Sequence, residues 1–221
     1  MSFYRFKNTS RRLRIGKIIC LARTYRKHAQ EMNTEVPDNP LLFLKPASSV
    51  IFDNQSIVIP KQSSLVHHEV ELGVVIGRKG KNIARRDALD HVLGYLLGLD
   101  ITSRDLQEEA KKHGWPWTVS KSFDTFCPLS EVVLKEEIGD PHDLDLLLMV
   151  NGEVRQSSNT KYMVYSLEDI IALVSSIMTL ESGDLILTGT PEGVASLKDG
   201  DVVEAKLGDV CSLRLKVVSS G

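Results

Sequence analysis

Three absences narrow the class of protein to which this chain belongs: few cysteines, no long apolar run and almost no net charge. The 221 residues contain three cysteines, Cys20, Cys127 and Cys211, which are too scattered for a disulfide framework and show no CxxC metal spacing. We expect reduced structural thiols in a cytoplasmic protein. No apolar run approaches the roughly 18 residues of a membrane span. The net charge of -2 gives no general case for nucleic-acid or membrane binding.

The N-terminus lacks the apolar segment of a secretory signal but is basic, with six Lys and Arg residues within residues 5–17 and no acid before Glu31. A mitochondrial presequence has this composition, so the mitochondrial matrix is the alternative compartment. We favour a basic first strand or arm over residues 1–16, because strand-like sequence already begins at Lys17. Residues 17–221 contain no repeat or clear linker and predict one catalytic domain.

Many short strands and few helices are predicted, without regular βαβ alternation. Asn151-Gly152 predicts a hairpin turn. Helices are predicted to start at Thr24 and at Ser166, and a third helix is predicted to end at Gly114. We therefore expect an α+β, predominantly β fold rather than a doubly wound sheet. The predicted strands are 17–22, 41–44, 57–60, 69–77, 92–101, 144–150, 153–155, 185–187, 202–205 and 213–218, and the predicted helices are 24–32, 84–91, 105–113 and 166–176.

The strand at 69–77 carries two neighbouring acids, Glu69 and Glu71, on the face opposite its apolar side chains. On a solvent-facing surface this pair would mean little. If the pair faces inward, its repulsion requires a proton or a cation, since like charges about 4 Å apart cost roughly 4 kcal/mol at an effective dielectric near 20. Asp100 ends the next apolar strand, and three converging carboxylates would suit Mg²⁺ or Mn²⁺.

Two further pairs have helical spacing. His28 and Glu31 are three residues apart, so the carboxylate can orient the imidazole as a general base, or the pair can form an exposed helix turn. Arg104 and Gln107 would share a helix face after Asp100. They could grip a substrate carboxylate, or serve only in capping and surface polarity.

The remaining candidate site residues are single polar residues near apolar strands. The loop around Thr190 follows a buried strand and can offer N–H groups and a hydroxyl to an anion, although alone it is an ordinary turn. Lys45 and Lys121 flank apolar stretches, where most lysines extend to solvent. Beside a site that develops negative charge, such a lysine would act as an electrophile.

Taken in order, these segments resemble the fumarylacetoacetate hydrolase (FAH) superfamily, in its short acylpyruvase and oxaloacetate decarboxylase branch. The resemblance runs from about Lys17 to Val217. It implies an FAH-type mixed β-roll or sandwich with few short helices. The segments that carry it are HHEVELG at 67–73, DITSRDLQ at 100–107, KSFD at 121–124, VNG at 150–152 and GDLILTGTPEGV at 183–194.

The resemblance also implies roles for the candidate residues. Glu69, Glu71 and Asp100 match the family's Mg²⁺ or Mn²⁺ ligands, and Lys121 matches the lysine beside the metal. The remaining matches are to a catalytic dyad on a closing lid (His28, Glu31) and to positions that hold the keto-acid end of the substrate (Arg104, Gln107, Thr190). Lys45, in the family's Phe-x-Lys-Pro segment, is also expected to bind substrate.

The function implied is metal-dependent cleavage of a C–C bond in a small 2-keto or 2,4-diketo acid. This would be acylpyruvate hydrolysis, oxaloacetate decarboxylation or both, through a pyruvate enolate. Isomerisation of 2-hydroxy-dienedioates on the same site is the alternative, and a silent metal-binding module is disfavoured because the residue set is intact. We expect a homodimer, no nucleic-acid partner and no membrane partner.

Departures from the family pattern bear on substrate choice. Ala22-Arg23-Thr24-Tyr25 stands where Gly-Arg-Asn-Tyr is common, and Ser130 where glycine is common. We expect His67 to lie on the same strand face as the two glutamates and to neighbour the metal ligands.

Overall fold

A computed structural model describes residues 2–32 and 35–220 and shows a mainly β structure built on three sheets. The strands are β1 (Ile18–Ala22), β2 (Leu41–Lys45), β3 (Val50–Phe52), β4 (Ser56–Ile59), β5 (Val66–His67), β6 (Val70–Ile76), β7 (Val92–Leu99), β8 (Thr102–Ser103), β9 (Cys127–Leu129), β10 (Val133–Leu134), β11 (Asp145–Val150), β12 (Glu153–Asn159), β13 (Leu185–Leu187), β14 (Ser196–Leu197), β15 (Val202–Leu207) and β16 (Cys211–Ser219). The largest sheet has the order β2-β1-β13-β6-β7-β9-β3, with β10 paired to β7. The second sheet has the order β12-β11-β15-β16-β4, and the small third sheet has the order β14-β5-β8.

The helices are short. They are α1 (Arg26–Glu31), α2 (Arg104–His113), α3 (Thr118–Lys121) and α4 (Leu167–Ile177). Three-residue 3₁₀ turns occur at Ala47–Ser49, Lys135–Glu137 and Thr160–Tyr162, and a longer 3₁₀ segment at Arg85–His91. The predicted α+β, predominantly β class is confirmed, and few residues are helical.

The large sheet buries both of its faces, and alternate side chains of each central strand point to different apolar clusters. Along β6, Val70, Leu72 and Val74 face the main core, which the five-stranded sheet and α4 close from the other side. Val75 faces a second cluster, which is covered by N-terminal residues including Tyr4. Tyr4, Phe6 and Ile15 of the N-terminal segment thus pack on this second face.

Three local predictions are confirmed, for one hairpin turn and two helix ends. Asn151 and Gly152 have φ of 53° and 80°, so both take the positive φ that a type I′ hairpin turn requires. Ser166 caps α4 with a reciprocal capping box to Asp169. Gly114 ends α2 in the left-handed conformation, with φ of 68°.

Two local predictions are wrong. Thr24 does not cap α1: the N-cap is Tyr25, and the Thr24 hydroxyl donates to the distant Thr188 carbonyl at 2.7 Å. A tertiary hydrogen bond has therefore replaced the local one. The helix predicted over 84–91 is instead the 3₁₀ segment Arg85–His91, which packs on α4. Among the described residues, no helix has the length and apolar character needed to cross a membrane.

Candidate active site

The three acids converge because of strand register. β6 and β7 are antiparallel and pair Val70 with Leu99, which places Glu69 opposite Asp100 one step beyond the ladder. The Asp100 N–H donates to the Glu69 carbonyl at 2.9 Å, so the pairing continues into the site. Glu71 lies two residues further along the chain, on β6, and its side chain points to the same side as that of Glu69. Oxygen atoms of Glu69, Glu71 and Asp100 all lie within 4.8 Å of one another, and all three residues are buried.

Three cations surround these carboxylates. The Lys121 ammonium, which α3 carries, contacts Asp100 Oδ2, Glu69 Oε2 (3.0 Å) and Thr102 Oγ1 (2.7 Å). The Arg104 guanidinium, at the start of α2, contacts Glu69 Oε1. Burial opposes the charge on Lys121, but Asp100 and Glu69 outweigh it, so the Lys121 pKa is raised and the side chain is a buried cation.

Lys45 is the third cation. It is fully enclosed on β2 and donates to Asp100 Oδ1 at 2.6 Å and to the Ile101 carbonyl at 3.0 Å. A buried ammonium needs such counter-charge. Lys45 thus lies behind Asp100 and outside the wall of this cavity, and its expected contact with substrate stays a prediction.

Glu71 differs from the other two acids, because its hydrogen-bond partner is the Gly189 N–H at 2.8 Å rather than a cation. Its pKa is raised well above the usual carboxyl value, first by burial and then by Asp100 and Glu69. The Glu69 pKa, by contrast, is well below the usual carboxyl value. Burial acts to raise it, but the positive charges of Lys121 and Arg104 outweigh that effect.

These residues fit a hard divalent cation. Three carboxylates offer clustered oxygen donors, and the raised pKa of Glu71 marks a deficit of positive charge beside it. Mg²⁺ and Mn²⁺ both prefer such oxygen ligands. Glu69, Glu71 and Asp100 are therefore the residues that would hold the ion.

His28 and Glu31 lie on α1 at the cavity mouth. His28 Nδ1 is 3.4 Å from Glu31 Oε2, which is long for a hydrogen bond, and the Glu31 carboxylate also accepts from the Gly193 N–H at 3.1 and 3.2 Å. Since Glu31 meets Nδ1, Nε2 is the free basic nitrogen. Burial lowers the His28 pKa, although Glu69 and Glu31 oppose this, so the imidazole is neutral at pH 7.

The Arg104–Gln107 pair has the predicted shared face. Arg104 Nη1 donates to Gln107 Oε1 at 2.6 Å. Because arginine only donates, this contact fixes the orientation of the amide and leaves the Gln107 amide nitrogen as a donor toward the cavity. Both residues line the cavity with the acids and His28.

His67 neighbours the site by a different route from the one predicted. The strand breaks at 68–69, so His67 belongs to β5 in the small sheet rather than to the strand of the glutamates. Its Nδ1 accepts from Arg104 Nε at 3.4 Å. Burial, followed by the positive charge of Arg104, lowers the His67 pKa to about 4, so the ring stays neutral and can accept this bond.

Gln156 on β12 is a site residue that the sequence did not reveal. It is fully buried, and its Oε1 accepts from the Val70 N–H at 3.0 Å and lies 2.9 Å from His68 Nδ1. Its Nε2 donates to Thr190 Oγ1 at 2.8 Å and to the Pro191 carbonyl at 3.0 Å. A glutamine in a strand carries no pattern that predicts this bridge between the two large sheets.

Thr190 lines the cavity together with Glu71, but its hydroxyl is already engaged within the protein. Oγ1 accepts from Gln156 and donates to the Val70 carbonyl at 2.9 Å. The hydroxyl proton is therefore used within the protein, and the group that Thr190 can offer to an anion is its backbone N–H.

The cavity between these residues is small, about 40 Å³. This is close to the space of one water molecule, so a substrate enters only if side chains or α1 move. Apolar groups complete the wall, among them Met32, Phe43 and Trp117. The arrangement is that of an enzyme for a small anionic substrate, with clustered acids, buried cations and a neutral histidine at the mouth.

Comparison with known proteins identifies a family of enzymes, in agreement with the arrangement of this site. The family described as fumarylacetoacetate (FAA) hydrolase C-terminal matches residues 17–218. The chain is 49% identical over 203 residues to the mitochondrial oxaloacetate tautomerase FAHD1 of Rattus norvegicus, covering 92% of each chain. It is 50% identical over 189 residues to the mitochondrial oxaloacetate decarboxylase of Dictyostelium discoideum, covering 85% of this chain and 87% of that one.

A solved structure also matches. The fumarylpyruvate hydrolase of Pseudomonas aeruginosa, in complex with Mn²⁺ and pyruvate, superposes with a TM-score of 0.96 at 31% identity, covering 99% of this chain and 96% of that one. The chain thus belongs to the fumarylacetoacetate hydrolase family, in the branch of oxaloacetate and acylpyruvate enzymes, and the predicted family is confirmed. It is an enzyme with the FAH fold.

Proposed function

We propose that this enzyme uses Mg²⁺ or Mn²⁺ to cleave a C–C bond in a small 2-keto or 2,4-diketo acid. Acylpyruvate hydrolysis and oxaloacetate decarboxylation are the two reactions proposed. The observation that carries the proposal is the set of three buried carboxylates with Lys121 and Arg104 against them and a neutral His28 at the mouth. The Mn²⁺ and pyruvate bound to the P. aeruginosa relative support both the ion and the keto-acid substrate.

The bound ion would supply Lewis-acid stabilisation of negative charge on the 2-keto oxygen. The protein's own groups then divide the work. Arg104, the Gln107 amide and the Thr190 N–H would hold the carboxylate of the keto-acid end. The Lys121 ammonium would stabilise the enolate charge as it develops, in a buried site where such a charge interaction is strong.

His28 would be the general base. Its unprotonated Nε2 can take a proton from the water that adds to the distal carbonyl, while Glu31 holds Nδ1 and fixes the ring. Cleavage then leaves a carboxylic acid and a pyruvate enolate. Decarboxylation of oxaloacetate forms the same enolate without adding water, so it does not need this base.

Keto–enol isomerisation is the second candidate. The rat relative is named a tautomerase, and the reaction moves a proton beside the same keto group. His28 is the proton carrier on this site. Hydrolysis, decarboxylation and isomerisation thus share one electrostatic environment and differ in what happens at the distal end of the substrate.

The test is a panel of acetylpyruvate, oxaloacetate and a 2-hydroxy-dienedioate, each assayed with Mg²⁺ and with Mn²⁺. Asp100→Asn should abolish turnover of all three, whereas Asp209→Asn, an exposed control, should not. His28→Gln should reduce hydrolysis about 10²–10⁴-fold and spare decarboxylation. Full activity of Asp100→Asn in chelator would refute metal dependence, and hydrolysis that survives while decarboxylation fails would refute the role of His28.

We further propose a homodimer. The edge strand β2 and the segment before α3 border an apolar groove of about 1070 Å³. Leu44 and Trp115 are 48% and 56% exposed there, which suits burial against a second copy. Sedimentation velocity should give twice the chain mass, and Leu44→Lys should give a monomer.

The mitochondrial relatives favour the matrix over the expected cytoplasm, which localisation of the tagged chain would test.

A further inference from the structure

Two cations line the cavity in addition to those that contact the acids. Arg23 lies in the loop between β1 and α1, and Lys111 lies near the end of α2. Neither residue had a predicted role. Both share the cavity wall with His28, Arg104 and the carboxylates, so they face whatever occupies it.

The two side chains approach each other from different elements. The pKa of Lys111 is lowered, first by partial burial and then by the positive charges of Arg104 and Arg23. Arg23 also has a positive φ of 63°, a conformation that a non-glycine residue adopts only where its surroundings impose it. Because both residues line one cavity of about 40 Å³, the two positive charges lie close together despite their repulsion.

Within residues 2–32 and 35–220, no acid forms an ion pair with either cation. Lys111 contacts the Trp117 ring, with Nζ 5.5 Å from the centroid. Glu31, at the end of α1, is engaged by the Gly193 N–H and His28, and Glu192 pairs with Lys27 at 3.5 Å. The acids at the mouth thus have other partners.

With a divalent ion bound, the inner site would need no further positive charge. Its three carboxylates are matched by Arg104, Lys121 and Lys45. A divalent ion would match the carboxylate and enolate charges of a bound keto acid. The charges of Arg23 and Lys111 are surplus to this balance, and they favour a second anionic group on the substrate.

Helix geometry puts this second group beyond the first. Gln107 and Lys111 are four residues apart on α2 and share a face, with a rise of about 6 Å between them. Gln107 lies beside Arg104 at the keto-acid end, so Lys111 meets the part of the substrate nearer the mouth.

We propose that Arg23 and Lys111 bind a distal carboxylate, so that the enzyme selects dicarboxylic keto acids over keto acids with an uncharged end. This inference rests on the proposed function and names its substrate class. The two residues act on specificity: they hold the substrate end remote from the keto group and take no part in proton transfer.

The test is binding of two unreactive keto acids of equal length, 2-oxoglutarate and 2-oxovalerate, to the Mn²⁺-loaded protein by calorimetry. They differ in having a carboxylate or a methyl group at the distal end. The wild type should bind 2-oxoglutarate at least tenfold more tightly, as expected for a charge-assisted hydrogen bond. The preference should weaken as salt rises, because Lys111 is exposed.

Arg23→Gln and Lys111→Gln should each reduce the preference, and the double variant should remove it without changing 2-oxovalerate binding. Lys111→Arg should retain it. Arg26→Gln and Lys112→Gln are matched controls, since both residues are neighbouring exposed cations that do not line the cavity.

Equal binding of the two acids by the wild type, binding of neither, or a preference that survives in the double variant would overturn the proposal. Failure of the proposed function gives a different result. The preference for 2-oxoglutarate would then be present and lost in the variants, while none of the panel substrates is turned over.

Discussion

Replacing Glu71 by glutamine tests the physical basis of the metal site. Glu71 oxygens lie within 4.8 Å of those of Glu69 and Asp100, where each pair of like charges costs about 3.5 kcal/mol at an effective dielectric of 20. Lys121 offsets part of this repulsion, yet the Glu71 pKa stays well above its usual value. Glutamine keeps the size of the side chain and can still accept from the Gly189 N–H.

The pH dependence has a definite sign. In metal-free protein, folded Glu71 retains a proton that the unfolded chain loses above about pH 4.5, so this group makes the fold less stable as pH rises, until its raised folded pKa is passed. The slope is about 1.4 kcal/mol per pH unit. Glu71→Gln removes it, so in chelator the variant should be more stable than wild type at pH 8, by a larger margin than at pH 6.

Metal should stabilise the wild type far more than the Glu71→Gln variant. An ion at a hundredfold excess over its Kd adds about 2.7 kcal/mol, which raises the Tm of a chain of this size by about 5–11 °C. Glu71→Gln should lose most of that shift, and the exposed Glu136→Gln should keep it. Thermal unfolding with Mn²⁺ or chelator at pH 6 and 8 measures both effects. An unchanged Mn²⁺ shift in Glu71→Gln, or equal metal-free stability at both pH values, would refute the reasoning.

Three further predictions concern the surroundings of the acids. Because burial lowers the His28 pKa, hydrolytic kcat/KM should rise through an apparent pKa below 6.5 and be flat from pH 7 to 8; a midpoint above 7 would contradict a buried neutral base. Gln156→Leu should lower the free energy of unfolding by about 3 kcal/mol, since it leaves the buried Val70 N–H and the Pro191 carbonyl unpaired, whereas a denaturation midpoint equal to wild type would exclude the bridge. Gly189→Ala should impair Mn²⁺ binding in calorimetry, because a Cβ there would overlap Thr24 Oγ1. Gly200→Ala, with a similar φ of 86° and open space around it, should leave Mn²⁺ binding intact.

Local signals predicted local structure well where no distant group competed. The Asn151-Gly152 turn and the Ser166 cap depend on their own backbone and near neighbours. Thr24 failed as a cap because Thr188, 164 positions away, takes its hydroxyl proton. His67 was misplaced because the chain leaves the strand at 68–69, where the alternating pattern continues without interruption.

The sequence alone determined the type of chemistry. Two glutamates on one strand face and an aspartate ending the next strand define an acidic oxygen site, and the ordered family segments identify the enzyme family. These features follow from side-chain type and the two-residue strand period, which are local properties.

Only the tertiary structure decided which groups surround those acids. Lys45 and Lys121 reach Asp100 from 55 and 21 positions away, and Gln156 reaches Val70 from 86 positions away on another sheet. Arg23 and Lys111 meet at the mouth from a loop and a helix end. Such long-range contacts depend on strand register and sheet packing, which bring together residues that share no local pattern.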